Sequence, residues 1–164
     1  MWYPTIPVYP NNNKEIDYMV KEYISKRTQA DIDLFHLIDA NPVNGFKSKI
    51  SEEQYKILYD LIGSGKVTNE IGFYKSLFNR ARPTQVAPEK LNAPKSVTAN
   101  SPSYPSGHAY QSFYVAKLLS KWEPARKKEW DETAERIAFI RVYMGVHYRS
   151  DVVFARRLVD RLEV

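Results

Sequence analysis

Ala109, Tyr110, Phe113, Tyr114, Val115, Ala116, Leu118 and Leu119, wound into a helix, cover it with apolar side chains nearly all round. A helix with no polar face is stable only when other elements surround it. The rest of the chain must therefore wrap this stretch, and its neighbours read as amphipathic helices. Over residues 14–28 the apolar positions Ile16, Met19, Val20, Tyr23 and Ile24 fall at helical spacing. A second helical pattern covers 29–39, with Ile32, Phe35 and Ile38 three apart. Ser51-Glu52-Glu53-Gln54 is a capping-box sequence, followed by Tyr55, Leu58, Tyr59 and Ile62 on one face. Gly63-Ser64-Gly65 stops that helix, and another runs over 68–81, ending before Pro83. Three more follow near 106–121, 125–145 and 150–162.

Between these segments lie breaks but no linker. Residues 1–13 are rich in Pro and Asn and read as an irregular arm. Residues 84–104 carry Pro88, Pro94 and Pro102 among Asn and Ser and read as a long loop, in a compact domain usually either functional or disordered. No strand alternation of useful length and no internal repeat occurs. The expected fold is all-α, one domain over 1–164, a bundle of about six or seven helices.

Composition excludes several function classes. With no cysteine, disulfides, thiolate metal sites and cysteine catalysis are ruled out. The net charge of +5 raises the question of nucleic acid, but the basic residues are scattered, without runs or aromatic interleaving. Small anionic substrates account for the excess equally well, so no nucleic-acid partner is expected. No stretch approaches the roughly 18 apolar residues that a membrane span needs. The amino terminus lacks a basic start followed by an apolar run. A soluble protein, placed in the cytoplasm, is the expectation.

Three short words carry chemistry. Lys75 and Arg82 stand seven apart, which on one helix puts both on one face, two turns apart. A merely solvated basic face is the bland reading of that spacing. Ser106 is a good N-cap, so Gly107 and His108 would hold the first free amides of the apolar helix. Such a helix start favours anions, and His108 there could hand a proton to a leaving group. Arg141 shares a stripe with Ala134, Ile137 and Ala138. A buried arginine needs a carboxylate or a bound anion, and a structural pair with Asp151 is one way to supply it. Gly145 can turn the chain so that His147 comes back toward Arg141. Asp151, with Ser150 as cap, then opens the last helix, its face continuing through Phe154 or Ala155, Leu158 and Leu162. A buried carboxylate beside a histidine fixes the tautomer of the ring and stabilises its developing charge. The three histidines lack ligand spacing, and His36, beside Phe35 and Leu37, reads as structural, so no metal or other cofactor is expected.

In order, these words resemble the pattern K-x6-R-P, P-S-G-H, S-R-x5-H-x3-D. It belongs to the superfamily of type 2 phosphatidic acid phosphatases, bacterial non-specific acid phosphatases and vanadium haloperoxidases. The chain reads Lys75-x6-Arg82-Pro83, Pro105-Ser106-Gly107-His108 and Arg141-x5-His147-x3-Asp151, so the resemblance spans 75–151. It implies a helical bundle in which Lys75, Arg82 and Arg141 hold phosphate oxygens, with Ser106 and the Gly107 amide. It implies His147 as the nucleophile that becomes phosphorylated, Asp151 as its orienting group, and His108 as the acid and later the base. Two departures stand out. Ile140 occupies the family's serine position, and Val152-Val153-Phe154-Ala155-Arg156 replaces the Ala-Gly often seen after the aspartate.

The expected activity is metal-independent hydrolysis of phosphomonoesters or pyrophosphates, lipid phosphates included, through a phosphohistidine, with vanadate binding as a phosphate analogue. The alternatives are a vanadate-dependent haloperoxidase, usually a much larger protein, and a phosphate-binding module without turnover. A Ser106-centred triad is weaker, because the G-x-S-x-G elbow is missing. The natural substrate and self-association into a homo-oligomer stay open.

Overall fold

The structure, a computed structural model, describes residues 9–164. Its elements in chain order are α1 (Asn12–Glu22), α2 (Gln29–Ile38), α3 (Glu52–Ile62), α4 (Gly65–Phe78), the single turns α5 (Pro83–Val86) and α6 (Pro88–Leu91), α7 (Gly107–Trp122), α8 (Lys127–Tyr143) and α9 (Arg149–Asp160). Short 3-10 turns link several of them, and no strand occurs among the described residues. The fold is all-α. Seven of the helices have ten or more residues, in line with the pattern in the sequence.

The apolar stretch is the centre. On α7 all eight of its apolar side chains, Ala109 through Leu119, are buried, together with His108 and Ser112. Its largest interfaces are with α8 and then α9, while α3, α4 and the turn at Pro42–Gly45 close other sides. Each fully buried side chain of the Val, Leu or Phe kind contributes about 1.5–3 kcal/mol. The Pro42–Gly45 turn also comes very close to α8: a Cβ on Gly45 would lie 2.5 Å from Ile137 Cδ1.

The ends of the elements follow local chemistry. Gln54 N donates to Ser51 Oγ at 3.1 Å and Ser51 N to Gln54 Oε1 at 2.9 Å, the reciprocal bonds expected from the sequence. Thr28 and Asp31 make the same exchange at the start of α2.

Several boundaries differ from the sequence expectation. The first pattern splits, α1 ending at Glu22 and a 3-10 turn covering Ile24–Lys26. Of the expected arm, residues 1–8 lie outside the described residues, and Asn12 is already helical. Helix α4 stops at Phe78, three residues early. Asn79 adopts φ +44°, a left-handed stop that asparagine tolerates, and Pro83 holds Arg82 extended. Arg82 is therefore off the helix, and the shared face proposed for it and Lys75 does not exist. The stretch 84–104 is not all loop either, because Pro83 and Pro88 each open a single helical turn.

Candidate active site

Two chain reversals and one backbone hydrogen bond gather the sequence words into one buried cluster. The αL stop at Asn79 turns Arg82 back toward Lys75, and α7 begins beside them, with Gly107 packed against Ile71 and Lys75. Gly145, at φ +77°, ends α8 and brings His147 round, the His147 amide reaching Arg141 O at 3.3 Å. A Cβ at that glycine would meet Leu91 Cβ at 3.1 Å as well. Ser106 N then donates to Asp151 O at 3.2 Å, tying the start of α7 to the start of α9. Lys75, Arg82, Ser106, His108, Arg141, His147 and Asp151 are all buried. His36 is exposed, against the edge of Phe35 and apart from this cluster.

The two histidines are held in definite tautomers. His147 Nδ1 lies 2.9 Å from Asp151 Oδ2, and its Nε2 lies 3.1 Å from Arg82 Nη1. Arginine only donates, so Nε2 accepts and Nδ1 carries the proton that goes to Asp151. Burial first, then the nearby charges of Arg82 and Lys75, hold the His147 pKa well below the usual histidine range. The ring is neutral, with its lone pair facing the cations. Asp151 Oδ2 also accepts from Tyr148 N at 2.9 Å and from the Ser103 hydroxyl. Burial pushes Asp151 up to about 6, against the pull of Arg80, Ser103 and the Tyr148 amide. Asp151 is the third residue of α9 rather than its first, and Tyr148 rather than Ser150 precedes the helix as its cap position. His108 Nε2 faces two carbonyls, Asp39 O at 2.7 Å and Ile38 O at 3.0 Å, so it carries the proton. Burial, and secondly Arg141, bring His108 down to about 3.

The three cations rest on the chain's own oxygens. Lys75 Nζ donates to Pro102 O, and Arg82 donates from Nε to Ser101 O at 2.7 Å and from Nη1 to Val146 O at 3.1 Å. Arg141 Nη1 donates to Asp39 Oδ1 at 2.8 Å, and its Nη2 to Thr98 Oγ1 at 3.3 Å. Arg141 Nε, also buried, has no hydrogen-bond partner. Burial and Arg82 together lower Lys75 to about 7. A cavity of ≈ 410 Å³, lined by Asn79, Arg80, Arg82, Gln85, Asn100 and Ser101, opens onto Arg82.

Three groups in this network were missed in the sequence. Asp39, not Asp151, neutralises Arg141, so the structural pair considered above is not formed. Asp39 stands four residues after Phe35 and seven after Ile32, on the stripe of α2, the same pattern that marked Arg141. Asp151 is paired instead by Arg80, at 2.9 Å. Arg80 follows the last turn of α4, where no period marks it. Ser103 supplies the hydroxyl on the His147–Asp151 pair, whereas Ile140 is wholly buried in the core. Among the described residues no group of three His, Asp or Glu side chains is placed to hold a metal ion.

An all-α scaffold that converges cations on a carboxylate-bound histidine is suited to anionic substrates. The family model that matches is that of the PAP2 superfamily, over residues 56–158, and the chain belongs to that superfamily. Phosphatase is the general activity that membership supports, with a phosphate ester as substrate. Among solved structures, the chain is similar to one described as the first transmembrane PAP2 type phosphatidylglycerolphosphate phosphatase from Bacillus subtilis. The two share 20% identity and a TM-score of 0.52, over 90% of this chain and 80% of that one, which shows a common fold. No helix among the described residues here is long and apolar enough to cross a membrane. No curated protein matches the chain.

Proposed function

We propose that the protein hydrolyses phosphomonoesters or pyrophosphates through a phosphohistidine on His147, without a metal. The observation that carries this reading is the Nδ1-protonated, neutral His147, its Nε2 lone pair turned toward Arg82 and its other nitrogen on Asp151. Lys75, Arg82 and Arg141 would take the phosphoryl oxygens, exchanging chain carbonyls and hydroxyls for stronger anionic acceptors. The unpartnered Arg141 Nε–H is one donor ready for that exchange. Ser106 and the amide of Gly107, at the start of α7, would add further donors.

In the first step Nε2 attacks phosphorus, the P–O bond to the leaving group breaks, and that oxygen takes a proton from His108. Neutral His108 is a poor acid while Arg141 and burial hold it near 3. A phosphate dianion among the cations reverses that charge balance and raises it. In the second step water gives a proton to His108 and attacks phosphorus, the P–N bond breaks, and phosphate leaves. Asp151 balances the charge on His147 throughout, and the fixed cations match the charge spread over the transition state. Lipid phosphates, the class to which the Bacillus subtilis relative's named substrate belongs, are included in this reading.

Hydrolysis of an aryl phosphate by metal-stripped protein tests the proposal. Activity is expected to survive excess chelator and to be inhibited competitively by vanadate. Loss with chelator that a divalent ion restores overturns the metal-free reading.

The pH dependence of that inhibition is a second expectation. Lys75 sits near 7 and loses its charge above it. Vanadate should therefore bind progressively less well as the pH rises through 7, and Lys75→Met should flatten that slope. An unchanged slope in the variant would remove Lys75 from the anion site.

A further inference from the structure

Behind Asp151 lies a second set of charges that the phosphoryl-transfer step does not use. Arg80 is completely buried and joins two carboxylates: Nη1 donates to Asp151 Oδ1 at 2.9 Å, and Nη2 to Glu15 Oε2 at 2.7 Å. Nε reaches Asn12 Oδ1 at 3.0 Å, so every nitrogen of the fork is engaged. The guanidinium lies 3.6 Å from the Tyr148 ring centroid and 4.1 Å from that of Tyr9. Glu15 also accepts from Ser150, through the amide at 2.7 Å and the hydroxyl at 2.7 Å, in the first turn of α9. Glu15 belongs to α1, outside the residues 56–158 that match the family model.

We propose that Arg80 and Glu15 are positioning residues for Asp151, with α1 supplying the outer end of a Glu15–Arg80–Asp151–His147 relay. A fully buried carboxylate tends to take up a proton and would then cease to accept from His147 Nδ1. Arg80 keeps Asp151 charged, and Glu15 fixes Arg80 and the helix start that carries Asp151. The role assigned to the pair rests on the His147 reading above.

The groups facing Asp151 pull in both directions. Arg80, Lys75 and Arg82 are cations; Glu15 is an anion; His147, Tyr104 and Tyr148 are neutral in the working range. Arg80→Met removes the contacting cation, so the acid limb of kcat/KM should move to higher pH by about one unit or more, with KM nearly unchanged. Glu15→Gln removes an anion that opposes Asp151 ionisation, so the limb should move to lower pH, while looser positioning lowers kcat about tenfold. Arg80→Lys keeps the charge but not the fork, so the limb should stay in place while kcat falls. Shifts of opposite sign in two variants of one ion cluster are not produced by general loosening.

A readout independent of turnover separates this from the phosphatase reading. In 15N spectra the wild-type His147 ring is expected to keep the Nδ1–H tautomer at pH 7, and Arg80→Met to lose that preference. If Arg80→Met does not fold, Glu15→Gln carries the pH measurement, its acid limb expected below that of the wild type, and Arg80→Lys carries the loss of kcat. An acid limb that stays in place in Glu15→Gln, or in folded Arg80→Met with an unchanged His147 tautomer, overturns the proposal. Absence of hydrolysis in the wild type overturns only the phosphatase reading, and the tautomer still decides the relay.

Discussion

His147→Ala is expected to abolish turnover of every substrate and to leave no base-stable, acid-labile phosphoenzyme after an acid-free quench. The reason is the lone pair. Nε2 of His147 is held as an acceptor by Arg82 on one side and by Asp151, through Nδ1, on the other. His108 is held the other way round, its Nε2 proton directed at the carbonyls of Ile38 and Asp39, and no carboxylate among the described residues is bonded to its ring to balance the charge that attack would leave on it. Loss of His108 should look different. General acid–base help is worth about 10²–10⁴-fold, so an alkyl phosphate, whose alkoxide needs a proton, should slow by that factor in His108→Ala. A nitrophenyl phosphate leaves unaided, so its first step should suffer less. Water is then activated poorly, and the phosphoenzyme should accumulate. The converse, with phosphoenzyme formed by His147→Ala and not by His108→Ala, would reverse the two roles.

Much of this arrangement was legible because it sits where local rules are strong. The apolar stretch of α7 demanded a central position, and Ser106 marked its first turn. Arg141 was conspicuous as a charge on an apolar stripe, and Gly145 marked the reversal that returns His147 to it. What escaped lay at the ends of elements or in pairings across the chain. The Lys75–Arg82 spacing suggested one helix, yet an asparagine that tolerates positive φ and a proline that forbids helix before it decided otherwise. Arg80 pairs with residues 65 and 71 positions away, and nothing periodic in 79–82 announces that. Asp39 is the instructive miss. It lies on the α2 stripe as Arg141 lies on that of α8, and two opposite charges on two apolar stripes should have been matched.

That pair carries the largest effect expected on stability. Arg141 and Asp39 are almost fully buried, at 1% and 8% side-chain exposure, and 2.8 Å apart. Replacing such a pair by apolar groups is often neutral, but removing one partner strands the other charge and costs about 3–5 kcal/mol. Asp39→Ala should therefore destabilise the protein by that amount in urea unfolding at pH 7. It should also loosen the 96–98 segment, which Asp39 holds through the Ser96 hydroxyl at 2.6 Å and the Val97 amide at 2.8 Å. The effect has a pH signature. Burial alone would raise Asp39, but the Ser96 hydroxyl, Arg141 and the Val97 amide outweigh it and hold the carboxyl at about 2. Burial acts on Arg141 in the other direction, lowering it, yet a guanidinium stays protonated throughout the acid range. Because the folded-state value lies below the ordinary 3.8, the stabilisation is complete above about pH 4 and is lost as the pH falls through 2. The shift corresponds to roughly 2 kcal/mol. The stability gap between wild type and Asp39→Asn should therefore narrow steadily between pH 4 and 2. A gap that stays constant across that range, or one below about 1 kcal/mol at pH 7, would mean that Asp39 does not balance the buried Arg141 charge.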